Sequence, residues 1–269
     1  MNVLCCQFDI AWENKAANHA KVEALLERAG AQKGALALLP EMFATGFSMN
    51  VDAIDDTPTR ATWNFLSKTA AKHEIHLMGG LVTRGADGRG ENVAVVFGPD
   101  GREMARYQKL HPFTFGGESQ RYLPGGQIAT FGCAGFTVCP FICYDLRFPE
   151  VFRIAASRGA NLFTVIANWP EAREQHWLTL LAARAIENQA YVAAVNRIGR
   201  DKTLSYSGRS IIIDPRGQIL ADAGGAEMVI GARLDREWLE AYRQGFPALA
   251  DMRCEFQMKS RPGAETAQS

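Results

Sequence analysis

The chain carries no excess of charge. Its 29 lysines and arginines match its 29 aspartates and glutamates. No basic face is set aside for a phosphate backbone, which argues against nucleic acid as a partner. No window approaches about 18 consecutive apolar residues, so a membrane-spanning helix is not expected. The opening stretch MNVLCCQFDI has no basic region, and its apolar run is too short for an export signal. CxxC pairs are missing among the cysteines at 5, 6, 133, 139, 143 and 254, and adjacent Cys5 and Cys6 make a poor disulfide scaffold. Reduced thiols and a cytoplasmic location are therefore expected. Repeats and low-complexity linkers are absent too. With no internal boundary in sight, one domain over residues 1–255 is expected, followed by a polar, partly disordered tail over 256–269.

What is present is a strongly apolar chain: 269 residues, 47% hydrophobic, enough for a substantial core. VLCCQFDI and ALALL (35–39) read as buried strands. The helical spacing of Ala17, Val22, Leu25, Leu26 and Ala29 lies between them and is closed by Gly30. Residues 59–73 read as a helix and IHLMGGLV as the next strand. NVAVVFGPDGREMARYQK is a hairpin on a Pro-Asp-Gly turn. GFTVCPFIC, NLFTVIAN and YVAAVN read as further strands. A helix fits between the first two, and a long one over 173–189 precedes the third. SGRSIIIDPRGQIL is a second hairpin, EMVIGARL a late strand and 235–244 a short helix. Alternating β and α with inserted hairpins points to an α/β protein of mixed sheets covered by helices.

Three local motifs sit where a buried strand gives way to a turn. In LLPEMF, Pro40 ends ladder pairing and Glu41 follows. It is either an ordinary solvated carboxylate or a reactive group at a strand mouth. In YQKLHPF, Lys109 is surrounded by apolar residues. It either snorkels or neutralises a carboxylate or oxyanion. FTVCPFIC is apolar on both faces, as a central strand should be, and Cys143 ends it. DLRFPE then leads into a helical segment. Cys143 is either an inert buried thiol or a nucleophile at a strand-to-helix turn, where the helix dipole favours thiolate. Cys, Glu and Lys together are the parts needed for acyl transfer from an amide.

LLPEMFATGF, YQKLHPF, FICYDLRFPE, ANWP and ARAIENQAYVAAVNR resemble the nitrilase superfamily of carbon–nitrogen hydrolases, over residues 3 to 250. The resemblance implies a four-layer αββα sandwich with Glu41, Lys109 and Cys143 as catalytic triad. It also implies a second glutamate, for which Glu118 in TFGGESQRY is the best match. In that scheme Glu41 is the general base and Cys143 the nucleophile. Lys109 and the backbone N–H of Tyr144 hold the oxyanion, and Glu118 orients the lysine or the incoming water. No metal or organic cofactor is needed. CYDLRFPE, NWP and ARAIENQAYVA look most like the ω-amidase branch, which hydrolyses the terminal amide of 2-oxoglutaramate and 2-oxosuccinamate. The branch implies that Arg147 grips the substrate carboxylate and that Trp169 walls the pocket. Arg147 follows Cys143 by about one helical turn, and a guanidinium can bind a carboxylate in a fork. The other readings are an ion pair of Arg147 with Asp145 or Glu150, and a core tryptophan. A homodimer or larger assembly is implied as well.

Other classes fit less well. A Cys–His hydrolase needs an oriented histidine, and none of those at 19, 73, 76, 111 and 176 has an evident partner. HEIH (73–76) lacks metalloprotease spacing. An inactive scaffold has no reason to keep Glu41, Lys109 and Cys143. Sister activities on N-carbamoyl amino acids, other aliphatic amides or nitriles are the nearest rivals.

Overall fold

The structure, a computed structural model, describes residues 1–253. Cys254 and the tail expected over 256–269 lie outside the described residues. The first half of the chain contains strand β1 (Asn2–Gln7), helix α1 (Lys15–Ala29), β2 (Leu36–Leu38), α2 (Val51–Ile54), α3 (Ala61–His73), β3 (His76–Arg84), β4 (Gly90–Phe97) and β5 (Glu103–Gln108). Then come α4 (Glu118–Arg121), β6 (Phe131–Cys133), β7 (Phe136–Ile142), α5 (Pro149–Ser157), β8 (Leu162–Ala167), α6 (Glu174–Asn188) and β9 (Tyr191–Asn196). The short hairpin β10 (Ile198–Arg200) and β11 (Ser205–Ser207) precedes β12 (Ile211–Ile213), β13 (Ile219–Asp222), β14 (Met228–Arg233) and α7 (Arg236–Gly245).

The strands form two six-stranded mixed sheets, ordered β14-β1-β2-β3-β4-β5 and β13-β12-β9-β8-β7-β6. Each has a parallel trio at its centre, β1-β2-β3 in one and β7-β8-β9 in the other, flanked by antiparallel strands. Parallel strands covered on both faces lose the polar half of their alternation. Accordingly every residue of β2, β8 and β9 is buried. The pleat sorts side chains between two cores. Val3, Cys5, Leu36, Leu38, Ala94 and Val96 join the core between the sheets. Their neighbours Cys6, Ala37, Leu39, Val93, Val95 and Phe97 pack with Val22, Leu25, Leu26 and Leu66 of α1 and α3. On the far side α5 and α6 cover the second sheet, which completes the αββα layering. Cys5, Cys6, Cys133 and Cys139 are free, buried thiols, the structural role expected of them.

Local chemistry agrees with these bounds. Asn14 caps α1 by accepting from the Ala17 N–H at 3.1 Å, and Gly30 ends it at φ 56°. Among the described residues no helix is long and apolar enough to cross a membrane.

Candidate active site

The C-terminal ends of the central strands meet at one edge of the sandwich, and the chain leaves them in tight turns. Glu41 follows β2 through Leu39 and Pro40. The Glu41 turn lies directly on β3: a Cβ on Gly80 would sit 2.6 Å from the Met42 nitrogen and 2.8 Å from Glu41 Cα. Gly80, the second glycine of HLMGGLV, is therefore the condition for seating Glu41. Lys109 follows β5, and its N–H bonds the Asn92 carbonyl at 2.9 Å, extending the β4–β5 ladder. Cys143 opens a short 3-10 turn, Cys143–Arg147, straight after β7. Its φ of 45° lies in the left-handed region, a strained setting for a residue with a side chain. The register pairs Ile142 with Ile166. This leaves Cys143 Sγ 3.8 Å from the Asn168 carbonyl at the end of β8.

These turns bring Glu41, Lys109, Glu118 and Cys143 together. Lys109 Nζ donates to Glu41 Oε1 at 3.0 Å and to Glu118 Oε1 and Oε2 at 3.1 and 2.8 Å. Asn92 Nδ2 bridges the same two carboxylates, at 2.7 Å to Glu41 and 2.9 Å to Glu118. Glu41 Oε2 accepts from the Asn168 N–H at 3.0 Å and from its Nδ2 at 3.4 Å. Phe113 N–H donates to Glu118 Oε2 at 2.5 Å. All three charged side chains are buried. Burial works to lower the Lys109 pKa, but Glu118 and Glu41 outweigh it and hold the ammonium charged.

Cys143 titrates against the helix-dipole expectation. Burial of the sulfur, then Glu41 and Glu118, push the thiol well above its ordinary range; Lys109 only partly opposes them. The turn is too short to supply much dipole, so burial of the sulfur, reinforced by the neighbouring carboxylates, decides the sign. At rest the group is a protonated thiol beside a carboxylate.

One ammonium between two buried carboxylates gives a stability test. Lys109→Met is expected to cost about 3–5 kcal/mol at neutral pH, the usual effect of removing one partner of a buried ion pair. Removing the ammonium leaves Glu41 and Glu118 facing one another in a buried setting without the cation that bridges them. Urea unfolding of parent and variant checks this; a variant as stable as the parent rules out the charge-pair account.

Asp145 holds the Cys143 turn. Its Oδ2 accepts from Tyr107 Oη at 2.7 Å and the Ile142 N–H at 3.1 Å. Its Oδ1 accepts from the His111 N–H at 3.0 Å and lies 2.8 Å from His111 Nδ1. Asp145 is thus fully engaged without Arg147. Among the described residues no carboxylate lies within ion-pair distance of Arg147, so neither suggested pairing, with Asp145 or Glu150, forms. The Arg147 guanidinium instead lies 4.8 Å from the Trp169 ring centroid and 3.2 Å from His176 Nδ1.

A cleft of about 410 Å³, its open mouth included, lies over Cys143. Lys109, Tyr144, Arg147 and Trp169 line it, joined by Phe47, Phe113, Arg173 and Tyr206. Trp169 is both core and wall: it is buried, its N–H bonds Asn196 Oδ1 at 2.7 Å, and its ring faces the cleft. Tyr206 enters from the β10–β11 hairpin, with its hydroxyl 2.6 Å from Asp201 Oδ2. The sequence reading did not single out Asn92, Asn168 or Arg173, and named Asp145 only as an alternative partner of Arg147. The one signal was polar: Asn92 interrupts the apolar run of β4, and Asn168 ends that of β8.

The chain was compared with known proteins. The family model described as carbon-nitrogen hydrolase matches residues 2–244. An omega-amidase of Yersinia enterocolitica is 40% identical over 247 residues, covering 91% of this chain and 94% of that one. A 2-oxoglutaramate amidase of Bacillus subtilis is 34% identical over 252 residues, covering 93% and 97%. A CN-hydrolase superfamily protein of Xanthomonas campestris, solved with an arsenic adduct in its active site, superposes with a TM-score of 0.88 at 34% identity, over 94% of this chain and 97% of its own.

Proposed function

The chain belongs to the carbon–nitrogen hydrolase family, hydrolases of C–N bonds outside peptides, and on that premise we propose that it is an ω-amidase. Its substrate in this reading is a short 2-oxo acid with a terminal amide, 2-oxoglutaramate or 2-oxosuccinamate. One observation carries the reading. The cleft joins a partly buried thiol, a buried ammonium and an arginine without a carboxylate partner, and no Asp or Glu lines it among the described residues. The names of the Yersinia and Bacillus relatives support the same substrate class.

The proposed cycle uses the groups in place. Glu41 takes the Cys143 proton as the sulfur attacks the amide carbon. The carbonyl electrons move to oxygen, where Lys109 and the Tyr144 N–H stabilise the charge. As the C–N bond breaks, Glu41 returns the proton and ammonia leaves, with the acyl group held as a thioester. Glu41 then deprotonates a water, which attacks the thioester. Collapse frees the carboxylic acid, and the sulfur recovers its proton. Glu118 and Asn92 hold Lys109 and Glu41 in position throughout. The cycle needs no metal or organic cofactor. The proposal takes residues 1–255 as one hydrolase domain, working in the cytoplasm as a homodimer or larger assembly.

Arg147 tests the substrate class. Arg147→Met is expected to reduce kcat/KM for 2-oxoglutaramate about ten- to a hundredfold more than for pentanamide, the worth of a charge-assisted hydrogen bond. Arg147→Lys recovers only part, because an ammonium cannot form the fork. Ammonia release is the assay, with N-carbamoyl amino acids and nitriles run beside the amides. Equal losses on the acidic and the neutral amide sink the carboxylate role.

A further inference from the structure

One carboxylate accounts for Arg147 but not for the second guanidinium in the cleft. Arg173 ends the 3-10 turn Glu171–Arg173 that follows Trp169 and Pro170. The turn is fixed from within: the Arg173 carbonyl accepts the Trp169 indole N–H at 2.8 Å. The guanidinium lies 5.6 Å from the Phe113 ring centroid. Among the described residues no carboxylate lies within ion-pair distance of it. The adjacent Glu174 is taken by Arg209, at 3.0 Å. Elsewhere Arg84, Arg184, Arg197, Arg209 and Arg236 have carboxylate partners. The two that line the cleft do not.

Glu41 and Glu118 more than neutralise Lys109 beneath the cleft. Arg147 and Arg173 outnumber the one surplus negative charge and, lining the cleft itself, leave it positive among aromatic walls. A substrate carboxylate satisfies one of them. A 2-oxo acid offers a further acceptor, the carbonyl oxygen next to that carboxylate. The matching 2-amino acid places an ammonium at the same carbon, facing two guanidiniums with no Asp or Glu in the wall to receive it. Like charges brought together in a partly dehydrated cleft are strongly disfavoured.

We propose that Arg173 is a specificity residue that donates to the 2-oxo oxygen while Arg147 holds the carboxylate, so that the cleft selects amides of 2-oxo acids against the 2-amino acids of the same length. The inference rests on the ω-amidase reading above. Its test is kcat/KM for the parent, Arg173→Met, Arg173→Lys and Arg147→Met on three amides: 2-oxoglutaramate, glutaramate, which has a methylene in place of the oxo group, and glutamine. Arg173→Met is expected to lower the ratio of 2-oxoglutaramate to glutaramate by about tenfold or more, and to lower the ratio of 2-oxoglutaramate to glutamine as well. Arg147→Met lowers the rates on 2-oxoglutaramate and glutaramate together. Arg173→Lys keeps the charge and with it the rejection of glutamine. If Arg173→Met leaves both ratios at the parental value, the specificity role is overturned while the ω-amidase reading stands. A parent that hydrolyses an N-carbamoyl amino acid but not 2-oxoglutaramate overturns both.

Discussion

Cys143→Ala is expected to show no turnover above the uncatalysed rate and to melt close to the parent. The residue is half-buried, and its sulfur makes one weak contact, 3.8 Å to the Asn168 carbonyl. Alanine meets the same left-handed backbone demand as cysteine, so no new strain enters. The stability change should stay within about 1 kcal/mol. The pH dependence carries its own signature. The folded thiol holds its proton above its ordinary range, whereas in the unfolded chain it ionises near pH ~8.5. The folded state thus binds more protons in alkaline solution, and this group makes the parent lose stability as pH rises. The variant lacks that loss and should gain on the parent above about pH 9. Intact-mass analysis with iodoacetamide adds a covalent check. Cys143 should label before Cys5, Cys6, Cys133 and Cys139, which are buried. Turnover retained in the alanine variant would place the nucleophile elsewhere.

The candidate residues Glu41, Lys109 and Cys143 stood out in the sequence because each stands beside a local signal. Pro40 stops a strand before Glu41, Cys143 ends an apolar run, and Lys109 has apolar neighbours on a hairpin's return. The structure adds what depends on register between distant segments. Asn92 on β4 and Asn168 after β8 donate to Glu41 only because β2 and β8 end at the edge where β4 begins. The polar breaks at the two asparagines do not announce that partner. Asp145 is similar: its partners Tyr107 and His111 are more than thirty positions away in the chain. The two large hairpins were legible from their Pro-Asp-Gly and Pro-Arg-Gly turns. β10 and β11 were not, because strands of three residues in IGRDKTLSYS carry no alternation. The thiolate expectation failed on burial first and on charge second. Helix direction was readable in the sequence, but the packing that buries the sulfur and the two carboxylates beside it come from elsewhere in the chain.

Glu41→Gln is expected to lower kcat/KM by about 10²–10⁴-fold, because in the proposed cycle one group serves as base and acid in both half-reactions. The substitution is nearly isosteric but not neutral for the fold. All four hydrogen bonds to the Glu41 carboxylate come from donors: Asn92 Nδ2 and Lys109 Nζ on Oε1, and the Asn168 N–H and Nδ2 on Oε2. A glutamine has one acceptor oxygen. Whichever way its amide turns, the NH₂ faces donors in a buried setting that no solvent relieves. A stability loss of about 1–3 kcal/mol follows, visible as a lower Tm. The thiol should respond in the opposite sense to the rate. Removing a carboxylate beside Cys143 removes one of the causes that raise it, so the pH midpoint for alkylation of Cys143 should move down. A more readily ionised sulfur together with a collapsed turnover separates the two possible roles of Glu41. A group that merely tuned the thiol would leave a faster nucleophile and a faster enzyme; a proton carrier leaves a faster nucleophile that cannot expel ammonia or activate water. The measurement is kcat/KM beside the pH profile of Cys143 alkylation in parent and variant, and near-parental turnover would remove Glu41 from the proton path.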